Sequence, residues 1–310
     1  MRTWLGRGLT PADWRVPIPP AAVEELGAAM AQPDCMRVET ERLTPDMFAL
    51  DECRALMGRV RETIDTGIGF AVLDRLPLES WTLEQASRAF WLLGSLAGRP
   101  VEQSTDGRKL YEVRDTGRPP GGRVRRDSTN VAVPFHTDNN YNASPPEVFA
   151  LLSVRPGVSG GESAVLSFYA VHEALERRDP TALARLHQPY CFDRQQEHGP
   201  DEPPYFTAPV FAWHDTLRVR YSDALIPRGY ALAGKPLDDS GQRALDTLAE
   251  VLAEPALAVH FDLTPGQILI LNNAFIGHAR TAFTDHDDPA RRRLMLRLWL
   301  RDEGSPLYAG

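Results

Sequence analysis

Short apolar runs separated by turns rich in glycine and proline follow one another from about residue 100 onward, and they limit the fold more than any other feature of the sequence. These runs are Lys109–Val113, Asn130–Phe135, Glu147–Val154, Ser163–Phe168, Leu217–Tyr221, Gln267–Leu271 and Arg293–Leu300. Many short strands with turns between them are typical of a barrel or of a roll made from two sheets. The sequence therefore predicts a β-rich core within residues 101–310.

The first hundred residues follow a different pattern, in which apolar positions recur at three- and four-residue spacing. Helices with this spacing, together with two that interrupt the later strands, are predicted at Ala21–Ala31, Thr44–Thr66, Leu83–Ala97, Ala170–Arg177 and Gly241–Leu252. A buried strand is predicted at Gly69–Leu73. Because a β fold can fill this length as one unit, we expect a single domain, residues 1–310, that is mainly β with flanking helices. Residues 1–100 would support its β-rich part.

Charge and composition exclude several classes of partner. The 34 Lys and Arg residues against 42 Asp and Glu give a formal net charge of −8, so the surface as a whole repels nucleic acid and anionic lipid. The three cysteines form no CxxC pair, and no apolar run is long enough to cross a bilayer. These features favour a cytoplasmic protein with no nucleic acid or membrane partner. The sequence leaves open whether the chain forms a homo-oligomer.

The segment Arg114–Asp127 is rich in arginine, glycine and proline and has no apolar periodicity. This composition predicts a surface loop. Because the loop ends shortly before the motif described next, it is also a candidate lid, whose ordering over a site would exclude water. The sequence does not decide between a plain loop and a lid.

The sequence contains no glycine-rich nucleotide loop, no HExxH metal motif and no GxSxG nucleophile motif. It does contain His136-Thr137-Asp138 at the end of a strand-like run. Side chains two residues apart on an extended backbone leave the same face, so His136 and Asp138 can contact one ion. His278 follows the run QILILNNAFIG, whose paired asparagines are expected to satisfy backbone groups. Two imidazoles and one carboxylate are associated with non-haem Fe(II) oxygenases, because they leave adjacent coordination positions free.

In the run Arg293–Leu300, leucine alternates with arginine, methionine and tryptophan. A period of two places the leucines on one packed face and the other residues on the opposite face. If the second face lines a cavity, the planar guanidinium of Arg293 is suited to bind a carboxylate through two hydrogen bonds. The alternative is a face exposed to solvent. The alternation with leucine favours Arg293 over its neighbours Arg291 and Arg292.

Two blocks, HTDNNYNASPPEVFALLSVRPGVSGGES and LNNAFIGHARTAFTDHDDPARRRLMLRLWL, resemble the taurine dioxygenase-like (TauD/TfdA) family of Fe(II)/2-oxoglutarate-dependent oxygenases. The clavaminate synthase-like hydroxylases are also similar. The resemblance covers roughly residues 65–303. It implies a double-stranded β-helix (jelly roll), with Fe(II) as cofactor and 2-oxoglutarate and O2 as co-substrates.

The resemblance also implies roles for individual residues. His136, Asp138 and His278 match the iron ligands. Arg293 matches the partner of the 2-oxoglutarate C5 carboxylate. Ser163 matches a position where many relatives place a threonine hydroxyl on the same carboxylate.

A wider set of residues is expected near the substrate. Arg297 matches a position that holds an anionic substrate group in some relatives, and Arg280 belongs to the same block and is expected to support the site. Asn140 and Tyr141 directly follow the His-x-Asp motif, and they either bind substrate or form a structural turn. Arg220 lies on a strand with alternating arginines, where a surface role is the alternative to a substrate contact.

The activity implied by the resemblance is hydroxylation of an unactivated C–H bond of a small anionic or amino-acid-like metabolite, with release of succinate and CO2. Secondary metabolism is the expected context. Relatives that halogenate lack the carboxylate that Asp138 supplies, which favours hydroxylation, whereas desaturation, epoxidation and ring formation stay open. Two other classes also stay open: a non-catalytic jelly-roll protein that binds a metal or ligand, and a jelly-roll zinc hydrolase or isomerase.

Overall fold

The computed structural model of the protein describes residues 2–119 and 124–308. Its α-helices are α1 (Pro11–Trp14), α2 (Pro20–Ala31), α3 (Pro33–Arg37), α4 (Asp51–Asp65), α5 (Leu83–Ala97), α6 (Phe168–Arg178), α7 (Pro180–Leu186), α8 (Leu225–Leu232) and α9 (Asp239–Leu252). No helix in the described ranges is long and apolar enough to cross a membrane.

The β-strands of the same ranges are β1 (Arg15–Pro17), β2 (Phe70–Asp74), β3 (Arg99–Val101), β4 (Leu110–Val113), β5 (Val133–His136), β6 (Val148–Arg155), β7 (Ser159–Gly160), β8 (Ser163–Ser167), β9 (Pro189–Asp193), β10 (Tyr205–Pro209), β11 (Phe211–Trp213), β12 (Leu217–Val219), β13 (Ala258–Phe261), β14 (Ile268–Asn272), β15 (Ile276–Arg280), β16 (Phe283–Thr284) and β17 (Leu294–Arg301).

Two sheets carry the functional residues. In the larger sheet the strands lie in the order β1-β2-β14-β6-β17, and both β3 and β4 pair with the other edge of β17. In the smaller sheet the order is β13-β8-β15-β5. Strands from distant parts of the chain therefore lie side by side, so that residues far apart in sequence can meet at one site.

The larger sheet separates two hydrophobic clusters. The leucines of β17, from Leu294 to Leu300, pack with helices α2, α4 and α5 on one face of the sheet. Met295 and Trp299, on the other face, belong to the cluster that also contains Val165 of β8 and Ile276 of β15. The predicted packed leucine face is confirmed, and the opposite face of β17 looks into the space between the two sheets.

Helix occupies more of the chain than the expected mainly β fold implies, at about 35% against about 25% strand. Part of the excess is α7, which the sequence analysis did not predict. This helix is only two turns long, and Asp179 begins it by accepting hydrogen bonds from the N–H groups of Thr181 and Ala182. Such a short helix depends on its cap more than on apolar periodicity.

The helix predicted at Thr44–Thr66 is shorter in the structure. Residues Pro45–Met47 form a single 3-10 turn, and α4 begins only at Asp51. Proline disfavours the α conformation in the residue before it, and Thr44 is accordingly extended, with φ −121° and ψ 146°. The apolar residues before Asp51 therefore lie on a turn and not on a continuous helix.

Candidate metal centre

The pairing of β5 with β15 brings the two predicted imidazoles together. His136, the last residue of β5, lies directly opposite His278 in the middle of β15, and their ring centroids are 4.2 Å apart. Asp138 lies two residues beyond β5, with Oδ1 3.2 Å from His136 Nε2 and 3.6 Å from His278 Nε2. One donor atom from each residue lies within 4.8 Å of the others, and within the described ranges no second group of three His, Cys, Asp or Glu residues converges in this way.

The three donors fit a divalent metal ion. His136 Nδ1 lies 3.0 Å from the carbonyl oxygen of Pro134, so this nitrogen carries the hydrogen and Nε2 keeps its lone pair for an ion. Two imidazole nitrogens and one carboxylate oxygen suit first-row transition metals and leave further coordination positions free. His136, Asp138 and His278 are therefore chemically able to hold iron.

Burial and mutual contacts set the charges of the three side chains. Burial alone would raise the pKa of Asp138, but the positive charge of Arg297 and the close contacts with both histidines hold it well below its usual range. Burial lowers the pKa of His278 to about 4, and the neighbouring His136 adds to this effect. Burial also opposes protonation of His136, but the contact with Asp138 outweighs it and raises the pKa of His136. An ionised carboxylate and an unprotonated imidazole are the forms that bind a metal.

The two carboxylate oxygens of Asp138 have different partners. Oδ1 faces the histidines, whereas Oδ2 accepts a hydrogen bond from Trp299 Nε1 at 2.6 Å. Arg297 Nη1 lies 3.4 Å from the same Oδ2. The orientation of the carboxylate is therefore fixed by β17, from across the space between the sheets.

The side chain of Asn273, in the turn between β14 and β15, holds the backbone around Asp138. Its amide oxygen accepts a hydrogen bond from the Asp138 N–H at 2.8 Å. Its amide nitrogen donates to the carbonyl oxygens of Asp138 and Pro146, each at 3.0 Å. The expected role of the paired asparagines in satisfying backbone groups is confirmed for Asn273, which links the segments of two donors.

Replacing Asn273 with alanine leaves three buried backbone groups without their partner. Because one such group costs about 1–3 kcal/mol, we expect the free energy of unfolding, measured by urea denaturation, to fall by about 3 kcal/mol or more. Asn272→Ala is the matched control, because the bonds of Asn272 to Ala274 and Asp65 are longer, at 3.1 and 3.5 Å, and the residue is partly exposed. Equal losses in the two variants would contradict this role of Asn273.

A cavity next to the three donors, here called the inner cavity, is also lined by Ser163 and Arg293. Arg293 is 4% exposed, and its Nη1 has no hydrogen-bond partner among the described residues. Its guanidinium lies 5.0 Å from the ring centroid of Phe283. Gly161, with φ +80°, leaves room for it, because a Cβ there would lie 3.3 Å from Arg293 Nε. An arginine in this situation is suited to bind an anion.

The pKa of Arg293 agrees with that interpretation. Burial lowers it to about 10, and the positive charge of Arg280 adds to the shift, while Asp285 opposes it. An anionic group in the inner cavity would offset both the burial of the charge and the repulsion between the two arginines.

A second cavity, here called the outer cavity, shares His136, Asp138 and Arg297 with the inner one and is also lined by Asn140 and Tyr141. The amide nitrogen of Asn140 donates to the carbonyl oxygens of neighbouring chain segments at 2.6 and 3.0 Å. Its amide oxygen is buried and has no hydrogen-bond partner in the described part of the chain. A residue that lines the outer cavity therefore carries a buried acceptor without a partner among the described residues.

Arg297 lies between the two cavities, and most of its guanidinium is already bound. Nε donates to Gln103 Oε1 at 2.6 Å, and Nη1 donates to Asp127 Oδ2 at 2.7 Å. Nη2 is buried and has no hydrogen-bond partner among residues 2–119 and 124–308. A substrate anion at Arg297 would therefore accept a hydrogen bond from Nη2 alone. Much of the positive charge of Arg297 is already balanced by the carboxylates of Asp127 and Asp138.

The structure places Arg220 outside both cavities, as far as the described residues define them. Its Nη1 donates to the carbonyl oxygens of Asn140 and Asn142 at 3.1 and 2.6 Å, and its Nη2 donates to that of Ala143 at 2.8 Å. Arg220 thus holds the turn that follows the His-x-Asp motif, and a contact between Arg220 and substrate stays a prediction. A strand alternation cannot reveal the contact with this turn, because it does not show which backbone lies opposite.

Arg280 and Tyr141 keep their positions near the site. Arg280 lines the inner cavity and donates from Nη2 to the carbonyl oxygens of Thr129 and Val131, so it braces the chain that leads into β5. The Tyr141 hydroxyl accepts a hydrogen bond from the Tyr308 hydroxyl at 2.8 Å.

The end of the predicted lid loop is bound at the outer cavity. Residues 120–123 of this loop lie outside the described residues, whereas Arg125 and Arg126 line the cavity. Arg125 donates to Glu197 and, at 3.0 Å, to the Tyr308 hydroxyl. Arg126 pairs with Asp223 at 2.8 Å. Closure of the loop over a substrate stays a prediction.

Trp299, Glu197 and Tyr308 also contribute to the site, although none of them is predicted from the sequence. A signal was present for Trp299, because the alternation along β17 places it on the same face as Arg293 and Arg297. Glu197 and Tyr308 belong to segments without periodicity, and only the fold brings them to Arg125.

Comparison with known proteins gives concordant matches. Residues 39–299 match the family described as "Taurine catabolism dioxygenase TauD, TfdA family". The chain is 28% identical over 263 residues to FR-33289 synthase from Streptomyces rubellomurinus, covering 82% of this chain and 75% of that protein. It is 24% identical over 293 residues to clavaminate synthase 2 from Streptomyces clavuligerus, covering 84% and 86%.

Solved structures share the fold. A complex of asparagine oxygenase with Fe(II), 2S,3S-3-hydroxyasparagine and succinate has a TM-score of 0.66 at 20% identity, over 93% of this chain and 94% of that one. The non-haem iron oxygenase OrfP in complex with Fe and alpha-ketoglutaric acid has a TM-score of 0.67 at 14% identity, with the same coverage. With the family match spanning most of its length, the chain belongs to the TauD/TfdA family of dioxygenases that use iron and 2-oxoglutarate.

Proposed function

We propose that the protein hydroxylates an unactivated C–H bond of a small amino-acid-like metabolite that carries an anionic group. In this proposal Fe(II) is held by His136, Asp138 and His278, and the two sheets form the double-stranded β-helix of the family. When bound, Fe(II) together with 2-oxoglutarate and O2 supplies the oxidising chemistry, in which 2-oxoglutarate is converted to succinate and CO2 and one oxygen atom passes to the substrate.

Arg293 and Ser163 are proposed to bind the C5 carboxylate of 2-oxoglutarate in the inner cavity. The support is the buried Arg293 Nη1, which has no hydrogen-bond partner in the described chain, and the position of Ser163 on the same cavity wall. A carboxylate there would gain a charge-assisted hydrogen bond in a site that excludes most water. The pairing would direct the other end of the co-substrate toward the three donors.

The observation that carries the substrate class is a pair of buried polar atoms that belong to residues lining the outer cavity. Arg297 Nη2 is a buried donor, and Asn140 Oδ1 is a buried acceptor; both lack hydrogen-bond partners in the described residues. Buried polar groups are normally paired, so a ligand that fits would offer an anionic oxygen to the arginine and an N–H group to the amide. A free amino acid offers both. Asparagine oxygenase and OrfP, whose structures contain hydroxylated asparagine and arginine, are consistent with this class.

A screen for substrate-triggered 2-oxoglutarate consumption tests the proposal, with Fe(II), ascorbate and a panel of amino acids, dipeptides and sulfonates. For an active amino acid, the analogue without the amine and the analogue without the carboxylate are matched controls, because each lacks one of the two groups that the cavity would recognise. We expect each change to lower kcat/KM by about 100-fold, since each leaves a buried polar group unpaired.

The products decide between the remaining reaction types. Gain of one oxygen atom by mass spectrometry supports hydroxylation or epoxidation, which NMR of the product separates, whereas loss of two hydrogen atoms indicates desaturation or ring closure. Equal activity on sulfonates without an amine would contradict the amino-acid class. Turnover without O2 and 2-oxoglutarate would contradict the oxygenase mechanism and favour a hydrolase or isomerase.

A further inference from the structure

We propose that Trp299 is a positioning residue that makes Asp138 bind the metal through Oδ1 alone. This inference rests on the proposed iron site. It concerns a side chain that lines the outer cavity but has no expected contact with the metal.

The hydrogen bond from Trp299 Nε1 to Asp138 Oδ2, at 2.6 Å, is the shortest contact of that oxygen. Arg297 also approaches Oδ2, but at 3.4 Å, and its Nη1 lies closer to Asp127, at 2.7 Å. The indole therefore occupies Oδ2 while Oδ1 points to the two histidines. A carboxylate that turned to bind through both oxygens would lose this bond and would occupy a coordination position that 2-oxoglutarate or O2 needs.

The indole is itself rigidly held. Trp299 is 1% exposed and lies in β17, opposite Phe149 of β6 and Val101 of β3. The Tyr308 ring stacks on it at 6.4 Å with an interplanar angle of 12°, and the guanidinium of Arg297 lies 4.9 Å from its ring centroid. A donor fixed in this way can hold a ligand in one orientation, as the outer partners of metal ligands do.

The neutral character of the indole also matters. A second cation at 2.6 Å would pull negative charge from the one carboxylate of the donor set, whereas an N–H group orients the carboxylate and leaves its charge for the metal. Arg297 already supplies a positive charge, at a longer distance. Trp299 thus orients the Asp138 carboxylate without adding a positive charge beside it.

Co(II) binding under anaerobic conditions tests the proposal without relying on turnover. We expect Trp299→Phe to weaken Co(II) affinity by roughly 10- to 100-fold and to shift the visible absorption of bound Co(II), because Asp138 becomes free to rotate. Trp91→Phe is the matched control. Trp91 is also buried and donates to a backbone carbonyl, that of Leu43 at 2.9 Å, but it lies in the helical layer. This variant should keep the affinity and the spectrum of the wild type.

The outcomes separate this inference from the iron site itself. Wild-type affinity and spectrum in a folded Trp299→Phe protein would overturn the role of Trp299. Unchanged Co(II) binding in Asp138→Ala would instead overturn the metal site. If Trp299→Phe does not fold, benzothienylalanine in place of Trp299 keeps the ring shape and removes only the N–H donor, and the same affinity loss and spectral shift are then required.

Discussion

The KM for 2-oxoglutarate is expected to rise by about 100-fold or more when Arg293 is replaced by leucine, because losing one partner of a buried charge pair costs about 2–5 kcal/mol. Leucine keeps an apolar contact with Phe283, and removal of a buried unpaired cation should not destabilise the protein in the absence of co-substrate. The measurement is succinate formation against 2-oxoglutarate concentration, at saturating substrate.

Arg292→Leu is the control for this experiment. Arg292 is exposed, and within the described ranges its side chain donates only from Nε to the carbonyl oxygen of His286, at 3.3 Å, so the KM of this variant for 2-oxoglutarate should stay at the wild-type value. The comparison also tests the register along the three consecutive arginines. A large rise in KM for Arg292→Leu, with none for Arg293→Leu, would contradict the assignment to Arg293 and place the co-substrate contact at Arg292.

Local sequence signals predicted the elements whose ends are set locally. Helix α5 spans Leu83–Ala97 as predicted, because Thr82 and Gln85 form reciprocal hydrogen bonds at its start and Gly98 follows its end. The period of two along β17 likewise predicted which face packs. The order of the strands could not be predicted from the sequence. Pairs such as β5 with β15 join residues that are far apart in the chain, and their register depends on the whole sheet.

The same distinction holds for the site. The three metal donors could be predicted because their chemical types and spacing are informative before folding. The roles of Arg220 and Arg297 could not, because a guanidinium binds whichever acceptors the fold presents: backbone carbonyls for Arg220, and Asp127 with Gln103 for Arg297. Polarity on a strand face shows that a partner exists, and only the folded chain shows whether that partner is a ligand or the protein itself.

Replacement of Asp138 by alanine is expected to have the largest effect, a loss of 2-oxoglutarate turnover of more than about 100-fold. Loss of an outer partner of a metal ligand typically costs 10- to 100-fold, so loss of the one carboxylate ligand should cost more. The change also leaves Trp299 Nε1 buried without its acceptor, which should lower the free energy of unfolding by about 1–3 kcal/mol.

Two further variants make this result specific to the metal site. His136→Ala should show a comparable loss, because both residues would bind the same ion. Asp246→Ala removes an exposed carboxylate on α9 that accepts a hydrogen bond from Gln242 and from no other described residue, and it should leave turnover and Co(II) affinity unchanged. Succinate formation that survives both Asp138→Ala and His136→Ala would contradict the assignment of these residues as iron ligands, which rests on their being the one group of described His, Cys, Asp or Glu residues that converges in this way.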